Sequence, residues 1–255
     1  MNFLDLPKRV SGQRTYGLTS IMDSGVPSRE LENILLDYGD FIDIAKFGIG
    51  TAYITSNLKD KIKLYKKYNV IPYFGGTLFE KCYYQGKIPE FVDNLKELGI
   101  EWIEVSTGTV DIPLEERLYL ISTLRDDFRI VAEVGSKDTT KKIFIPEWKN
   151  EINLLLESGC DYVIMEGRDS GTAGIYNQDG TINSDLIEQL LNNIDVKKVI
   201  FEAPTPKQQM YFINRIGPNV NLGNVKPNEI LVLETQRHGL RCETFFMDEQ
   251  KCKLR

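Results

Sequence analysis

Hydrophobic residues in this chain come in short runs of strand length, each followed by a stretch in which apolar positions recur every three or four residues. The runs are Tyr16 to Asp23, Phe41 to Lys46, Val70 to Phe74, Trp102 to Val105, Arg129 to Val134, Tyr162 to Glu166, Val199 to Glu202 and Val220 to Leu222. Short apolar runs bounded by turn residues are what buried parallel strands require. Between them lie Ser28 to Tyr38, Leu58 to Tyr68, Pro89 to Leu98, Pro113 to Leu124, Pro146 to Glu157, Asp185 to Asn192 and Pro206 to Ile216, whose spacing gathers the apolar side chains on one helical face. Ser28 and Asn57 stand where N-caps belong, and Gly99, Gly159 and Gly217 where helices stop. Asn228 to Leu233 has the look of a strand, but Pro227 suits a first helical turn and Gly239 a helix end. Lys226 to His238 therefore reads as the eighth helix. Eight strand–helix units in succession predict an α/β fold, a closed (β/α)8 barrel.

Length fits that prediction. At 255 residues and 42% hydrophobic content, the chain matches one barrel domain spanning residues 1–255. No apolar stretch approaches the roughly 20 residues that cross a bilayer. Met1 to Gln13 carries Asp5, Lys8 and Arg9 where a signal peptide would be apolar, so a cytoplasmic protein with no membrane partner is expected. Cys82, Cys160, Cys242 and Cys252 are widely spaced and read as free thiols. A formal charge of −6 with lysines scattered along helices argues against a nucleic-acid partner. It leaves room for a small anionic substrate, because a few cations inside a low-dielectric cleft dominate the local field.

In a parallel barrel, side chains just past the carboxyl ends of the strands converge on one mouth. Strands four to seven end in or beside Glu104, Glu133, Glu166 and Glu202. One such Glu reads equally well as a solvated rim residue, but four on successive strands would repel one another unless protonated or bridged by a cation. Hard oxygen donors with no cysteine or histidine nearby favour Mg2+ over zinc. The single histidine, His238, falls at the far end of the last helix, away from the mouth, so proton transfer is left to Lys, Glu, Asp or Tyr. Lys46 interrupts an apolar strand and Lys137 lies just past the fifth. Either can bind an anion, deliver a proton or form a Schiff base, and Lys137 also reads as a solvated loop lysine.

Two segments suit a phosphate. Gly167 to Gly174 offers Arg168, Ser170 and glycines that allow close backbone approach, and Asn221-Leu222-Gly223-Asn224 precedes the last helix, where the helix dipole favours an anion. The glycine pair Gly75-Gly76, followed by Thr77, permits close approach to a ligand or simply a tight turn. The polar excursion from Tyr176 to Ser184 reads as a lid or as a solvent loop.

Several longer words stand in order along the chain: Lys46-Phe47-Gly48-Ile49-Gly50-Thr51, Gly75-Gly76-Thr77-Leu78-Phe79-Glu80, Glu133-Val134-Gly135-Ser136-Lys137, Glu166-Gly167-Arg168-Asp169-Ser170-Gly171, Phe201-Glu202-Ala203-Pro204 and Asn219-Val220-Asn221-Leu222-Gly223-Asn224. Through them the chain resembles the phosphosulfolactate synthase family, and its wording looks closer to the bacterial members. The resemblance implies a TIM barrel, oligomeric in the family, acting as a carbon–sulfur lyase in the synthetic direction. It would add sulfite to phosphoenolpyruvate with Mg2+ to give 2-phospho-3-sulfolactate. In that reading Glu104, Glu133 and Glu166 hold the metal with Asp23 and Glu202 as further ligands or supports. Lys137 protonates the carbon next to the carboxylate. Lys46, Arg168, Ser170, Asn221, Gly223 and Asn224 hold the substrate. Two other readings remain open: a Schiff-base aldolase, and a non-catalytic barrel like the plant heat-stress proteins similar to this family.

Overall fold

The computed structural model describes residues 3–135, 145–167, 170–172, 174–177, 179–192 and 194–247. Eight parallel strands, each neighbouring the next in chain order, close into a barrel. They are β1 (Thr19–Asp23), β2 (Ile44–Phe47), β3 (Ile71–Phe74), β4 (Trp102–Val105), β5 (Arg129–Val134), β6 (Tyr162–Met165), β7 (Val199–Glu202) and β8 (Asn221–Val225). Around them pack α1 (Ser28–Tyr38), α2 (Thr51–Ile54), α3 (Leu58–Lys67), α4 (Thr77–Tyr84), α5 (Ile88–Glu97), α6 (Leu114–Leu124), α7 (Ile145–Ser158), α8 (Ser184–Leu191), α9 (Pro206–Ile216) and α10 (Ile230–Arg237). The chain is a (β/α)8 TIM barrel, as the periodicity predicted.

Two short helices, α2 and α4, were not expected. The first is a single turn, and the second lies between Gly76 and Gly86, too short a window for a helical period to show. The expected eighth helix begins as a 3₁₀ turn, Pro227–Glu229, before α10. Of the expected N-caps, α1 starts after Pro27 instead of Ser28, while Asn57 stands at the N-cap of α3 without a side-chain cap bond, its amide donating to the Ser28 hydroxyl at 2.6 Å. Asn221 to Asn224 is not a turn before the last helix but β8 itself, paired with β7 and β1.

Strand register decides which side chains meet. Met22 pairs with Lys46, Lys46 with Tyr73, Tyr73 with Trp102, Glu104 with Val131, Glu133 with Ile164, Ile164 with Ile200, and Glu202 with Gly223. Side chains alternate faces along a strand, so this set shares one face. Ile44, Tyr73, Trp102, Val131, Tyr162, Ile164 and Ile200 form a small apolar cluster inside the ring. The opposite parity, including Ile21, Ala45, Phe47, Phe74, Ile103, Ala132, Val163 and Phe201, belongs to the larger core between strands and helices. Lys46, Glu104, Glu133 and Glu202 thus sit two residues further along the inward rows, above an apolar floor.

The amino-terminal pole is closed by ion pairs. The segment before β1 crosses it: Arg9 pairs with Glu234 at 3.1 Å, Arg14 with Asp43 at 2.8 Å, and Tyr162 donates to Thr15 O at 2.7 Å. Arg237, fully buried, donates to the carbonyls of Pro218, Val220 and Leu18. A concavity of about 1240 Å³ opens here, lined by Arg9, Arg14, Trp102, Arg129, Glu234 and His238 among others. Its charged groups are matched locally, which suits stability rather than chemistry at this face of a barrel. His238 caps α10 at this pole, away from the mouth, as expected from its place in the chain.

Candidate active site

At the carboxyl pole the inward rows end in charge. Lys46 Nζ lies 2.8 Å from Glu104 Oε2 and 3.9 Å from Glu202 Oε1. Glu104 is oriented from its other side, since Oε1 accepts from Gly76 N–H at 3.0 Å and from the Ser106 hydroxyl at 2.6 Å. Glu202 Oε2 accepts from Gly167 N–H at 2.9 Å. Glu133 and Glu166 are buried on the intervening strand ends, 1% and 2% exposed. Below them the Tyr73 hydroxyl meets Ser20 Oγ at 3.2 Å.

The electrostatics follow from burying more acid than base. Burial would push the Lys46 ammonium towards neutrality, but Glu104 and Glu202 outweigh it and hold the lysine charged. Glu202 is pushed up to about 8, first by burial and then by the neighbouring charge of Glu166, with Lys46 opposing. A carboxyl raised in this way marks a place where a further positive charge would be stabilised.

The glycines here serve close packing. A Cβ on Gly75 would overlap the Glu104 side chain, and Gly76 adopts φ 57°, ψ −142°, a region open to glycine. The N–H of Gly76 is already used by Glu104 and Ser106, so this pair orients Glu104 instead of meeting a ligand, and Thr77 starts α4 on the exposed side. Residues 174–177 of the excursion after β6 fold down: Tyr176 is buried, its hydroxyl donates to Glu202 O, Ile175 N–H bonds to Glu166 O at 3.0 Å, and Tyr176 bridges Ile182.

Other expected site residues are placed differently. Asp23 has the outward parity of Ile21 and faces α3. Its carboxylate is engaged by Lys61 at 2.5 Å, by the Tyr65 hydroxyl at 2.9 Å and by the N–H groups of Gly25 and Val26. An Asp so committed outside the ring is a structural anchor, not a ligand over the mouth. Asn221 points its amide across the start of β8: Oδ1 accepts from Leu18 N–H at 2.9 Å and Nδ2 donates to Val199 O and Lys197 O. It ties three strands together on the side away from the carboxylates, so its side chain is committed within the barrel wall. Gly223 is level with Glu202, where a Cβ would lie 3.0 Å from Ile200. Asn224, buried with φ 54°, marks a one-residue bulge against β1. Ser170 is exposed, with its hydroxyl 2.7 Å from Thr172 Oγ1. Lys137 and Arg168 lie outside the described residues.

Among the described residues, no three His, Cys, Asp or Glu side chains are gathered closely enough to hold a metal ion. The donor chemistry nonetheless suits a hard cation. Glu202 carries a raised carboxyl pKa beside Glu166, and among the described residues the inward carboxylates outnumber the inward lysine Lys46.

Sequence reasoning passed over Ser106, Lys61, Tyr176 and Gln208. Gln208 had a legible signal, the Thr205-Pro206-Lys207-Gln208 capping box that opens α9. Lys61 and Tyr176 have no local signature, because their partners lie on distant elements, whereas Ser106 stands only two residues after Glu104, its hydrogen-bond partner.

A closed parallel barrel with a charged constellation converging past the carboxyl ends of its strands defines the class: a (β/α)8 barrel with a charged mouth. A family model described as (2R)-phospho-3-sulfolactate synthase (ComA) matches residues 7–243. The phosphosulfolactate synthase of Methanocaldococcus jannaschii is 43% identical over 235 residues, covering 90% of this chain and 94% of that one. That of Bacillus subtilis is 38% identical over 247 residues, covering 96% and 98%. The chain belongs to the phosphosulfolactate synthase family. The archaeal relative is the more similar of these two, so overall identity does not favour the expected bacterial type. Among solved structures, 3-hexulose-6-phosphate synthase from Salmonella typhimurium has a TM-score of 0.56 at 14% identity, over 87% of this chain and 100% of that one, a likeness of fold alone. No helix among the described residues is long and apolar enough to cross a membrane.

Proposed function

We propose that this barrel joins sulfite to phosphoenolpyruvate with Mg2+ to form 2-phospho-3-sulfolactate, a carbon–sulfur lyase working in the synthetic direction. The observation that carries the reading is the inward register of Lys46, Glu104, Glu133 and Glu202 at the carboxyl pole of a barrel belonging to this family. In the reaction the sulfur lone pair forms a bond to the terminal carbon, and the double-bond electrons move onto the substrate carboxylate. A proton then reaches the carbon that bears the phosphate ester, which stays attached. The barrier is the second negative charge on the carboxylate, and preorganised positive groups in a buried site lower it.

Mg2+, when bound by carboxylates among Glu133, Glu166, Glu202 and Glu104, would supply Lewis-acid stabilisation of that charge. The chain's own residues do the rest. Lys46, held protonated by Glu104 and Glu202, faces the anionic substrate as a fixed charge. Ser106 and Gly76 keep Glu104 from turning away. The apolar floor of Trp102, Val131, Tyr162 and Ile200 keeps the lower barrel dry. Lys137 is the proton donor in this proposal, and Arg168, Ser170 and the backbone near Gly223 and Asn224 are assigned to the phosphate. Self-association is proposed as well, and light scattering reads it.

A Schiff base at Lys46 requires a neutral amine, whereas Glu104 and Glu202 favour the ammonium, so an aldolase would have to use Lys137, which borohydride trapping with a ketone substrate tests. The deciding experiment incubates purified protein with phosphoenolpyruvate and sulfite, with and without Mg2+, and looks for phosphosulfolactate by mass spectrometry. Absence of product from folded, Mg2+-loaded protein would leave the family name without this activity and return weight to a non-catalytic role.

A further inference from the structure

Gln208, on the first turn of α9 and 2% exposed, uses both ends of its carboxamide. Its Oε1 accepts from Thr205 N–H at 3.1 Å and from the Thr205 hydroxyl at 2.8 Å, and Thr205 Oγ1 accepts from Gln208 N–H in return. That is the reciprocal cap that starts the helix. Its Nε2 donates to Gly171 O at 3.0 Å and Gly180 O at 3.3 Å. The amide's orientation is fixed by chemistry, since Thr205 N–H can only donate and the two carbonyls can only accept. A helix cap needs only the acceptor, and Glu serves there as well as Gln. The buried Gly171 carbonyl and the partly buried Gly180 carbonyl need a donor, which Glu cannot supply when ionised.

Gly171 and Gly180 both belong to the excursion between β6 and α8, and that excursion lies on the backbone of the acidic strand ends. Ile175 N–H is bonded to Glu166 O, the Tyr176 hydroxyl to Glu202 O, and Gly167 N–H to Glu202 Oε2. The fit is close on both sides. A Cβ on Gly174 would overlap the Glu166 carbonyl, and one on Gly171, at φ 67°, would overlap the Gln208 amide.

We infer that Gln208 is a positioning residue that pins this excursion against Glu166 and Glu202 and so holds the loop for the phosphorylated substrate. It acts through the loop and touches no reacting atom. The inference deepens the proposed reaction and rests on it for its kinetic consequence, while its structural consequence stands separately.

The test is Gln208→Glu, which keeps the cap and removes the two donor bonds, read by amide hydrogen exchange and by steady-state kinetics, with Gln208→Ala beside it. In Gln208→Glu the amides of Ile175, Asn177 and Gly180 are expected to exchange about tenfold faster or more, while those of α9 keep wild-type protection. KM for phosphoenolpyruvate is expected to rise roughly tenfold with kcat much less affected. Gln208→Ala loses cap and clamp together, so the first turn of α9 loosens as well. Wild-type exchange at those three amides overturns the inference, as does equal loosening of loop and α9 in Gln208→Glu, or an unchanged KM in an active enzyme. If the wild-type protein makes no phosphosulfolactate, the proposed reaction fails and the exchange measurement still judges the clamp.

Discussion

Lys46 Nζ reaches Glu104 Oε2 at 2.8 Å, an ion pair that joins β2 to β4 across the intervening β3. The Glu104 side chain is fully buried and that of Lys46 only 11% exposed. Removing one member of such a pair leaves a desolvated charge, so Lys46→Met is expected to destabilise the protein by about 3–5 kcal/mol. The double variant Lys46→Met, Glu104→Gln should recover much of that loss while staying inactive. Urea denaturation of the single and double variants measures the coupling, and additive losses would remove the pair's importance.

Glu202 makes stability depend on pH. Its carboxyl is pushed from the ordinary 4.5 up to about 8 by burial first and Glu166 second. The folded state therefore binds this proton more tightly than the unfolded chain. The contribution is full below the unfolded value and is lost as pH rises through about 8. In chelator, Tm is expected to fall across that window. Mg2+ competes with the proton for the carboxylates, so it should raise Tm more at the alkaline end. A Tm that stays flat in chelator across the window would contradict this assignment.

Asp23 separates anchoring from metal binding. Its carboxylate is paired with Lys61 and Tyr65 on α3. Asp23→Asn is expected to lower stability by about 3 kcal/mol and to leave Mg2+ affinity within about threefold of wild type. Isothermal titration with Mg2+ decides, and a collapse of affinity would put Asp23 back among the ligands.

Asn221 offers the converse check. Asn221→Ala strands the Leu18 N–H and Val199 carbonyl that its amide satisfies, at a cost of about 1–3 kcal/mol for each buried group left unpaired. KM for phosphoenolpyruvate is expected to stay near wild type. A large rise in KM in a stable variant would restore it to the substrate site.

Lys137→Ala tests the proton donor. Substrate binding, followed by fluorescence or calorimetry, is expected to persist while turnover falls by about 100-fold or more. Equal turnover would exclude Lys137 from the acid role.

The fold was legible because it is written in periods: apolar runs for strands and three-four spacing for helices are local signals, and they located all eight strands of the ring. The acidic strand ends were legible for the same reason, since the end of a parallel barrel strand is a place in space as well as in sequence. Alternation along β1 already distinguished Met22 from Asp23, yet which of the two faces inward depends on register with β2, a long-range pairing that no local window contains. Asn221 likewise took its role from three strands meeting beneath it, and Gln208 from a loop that returns to α9 after leaving β6. The sequence by itself determined the barrel and the rim on which charge would gather, because burial and periodicity are local. Tertiary structure alone decided which charges face one another, because a side chain's partner is chosen by strand register and helix packing across many residues of chain.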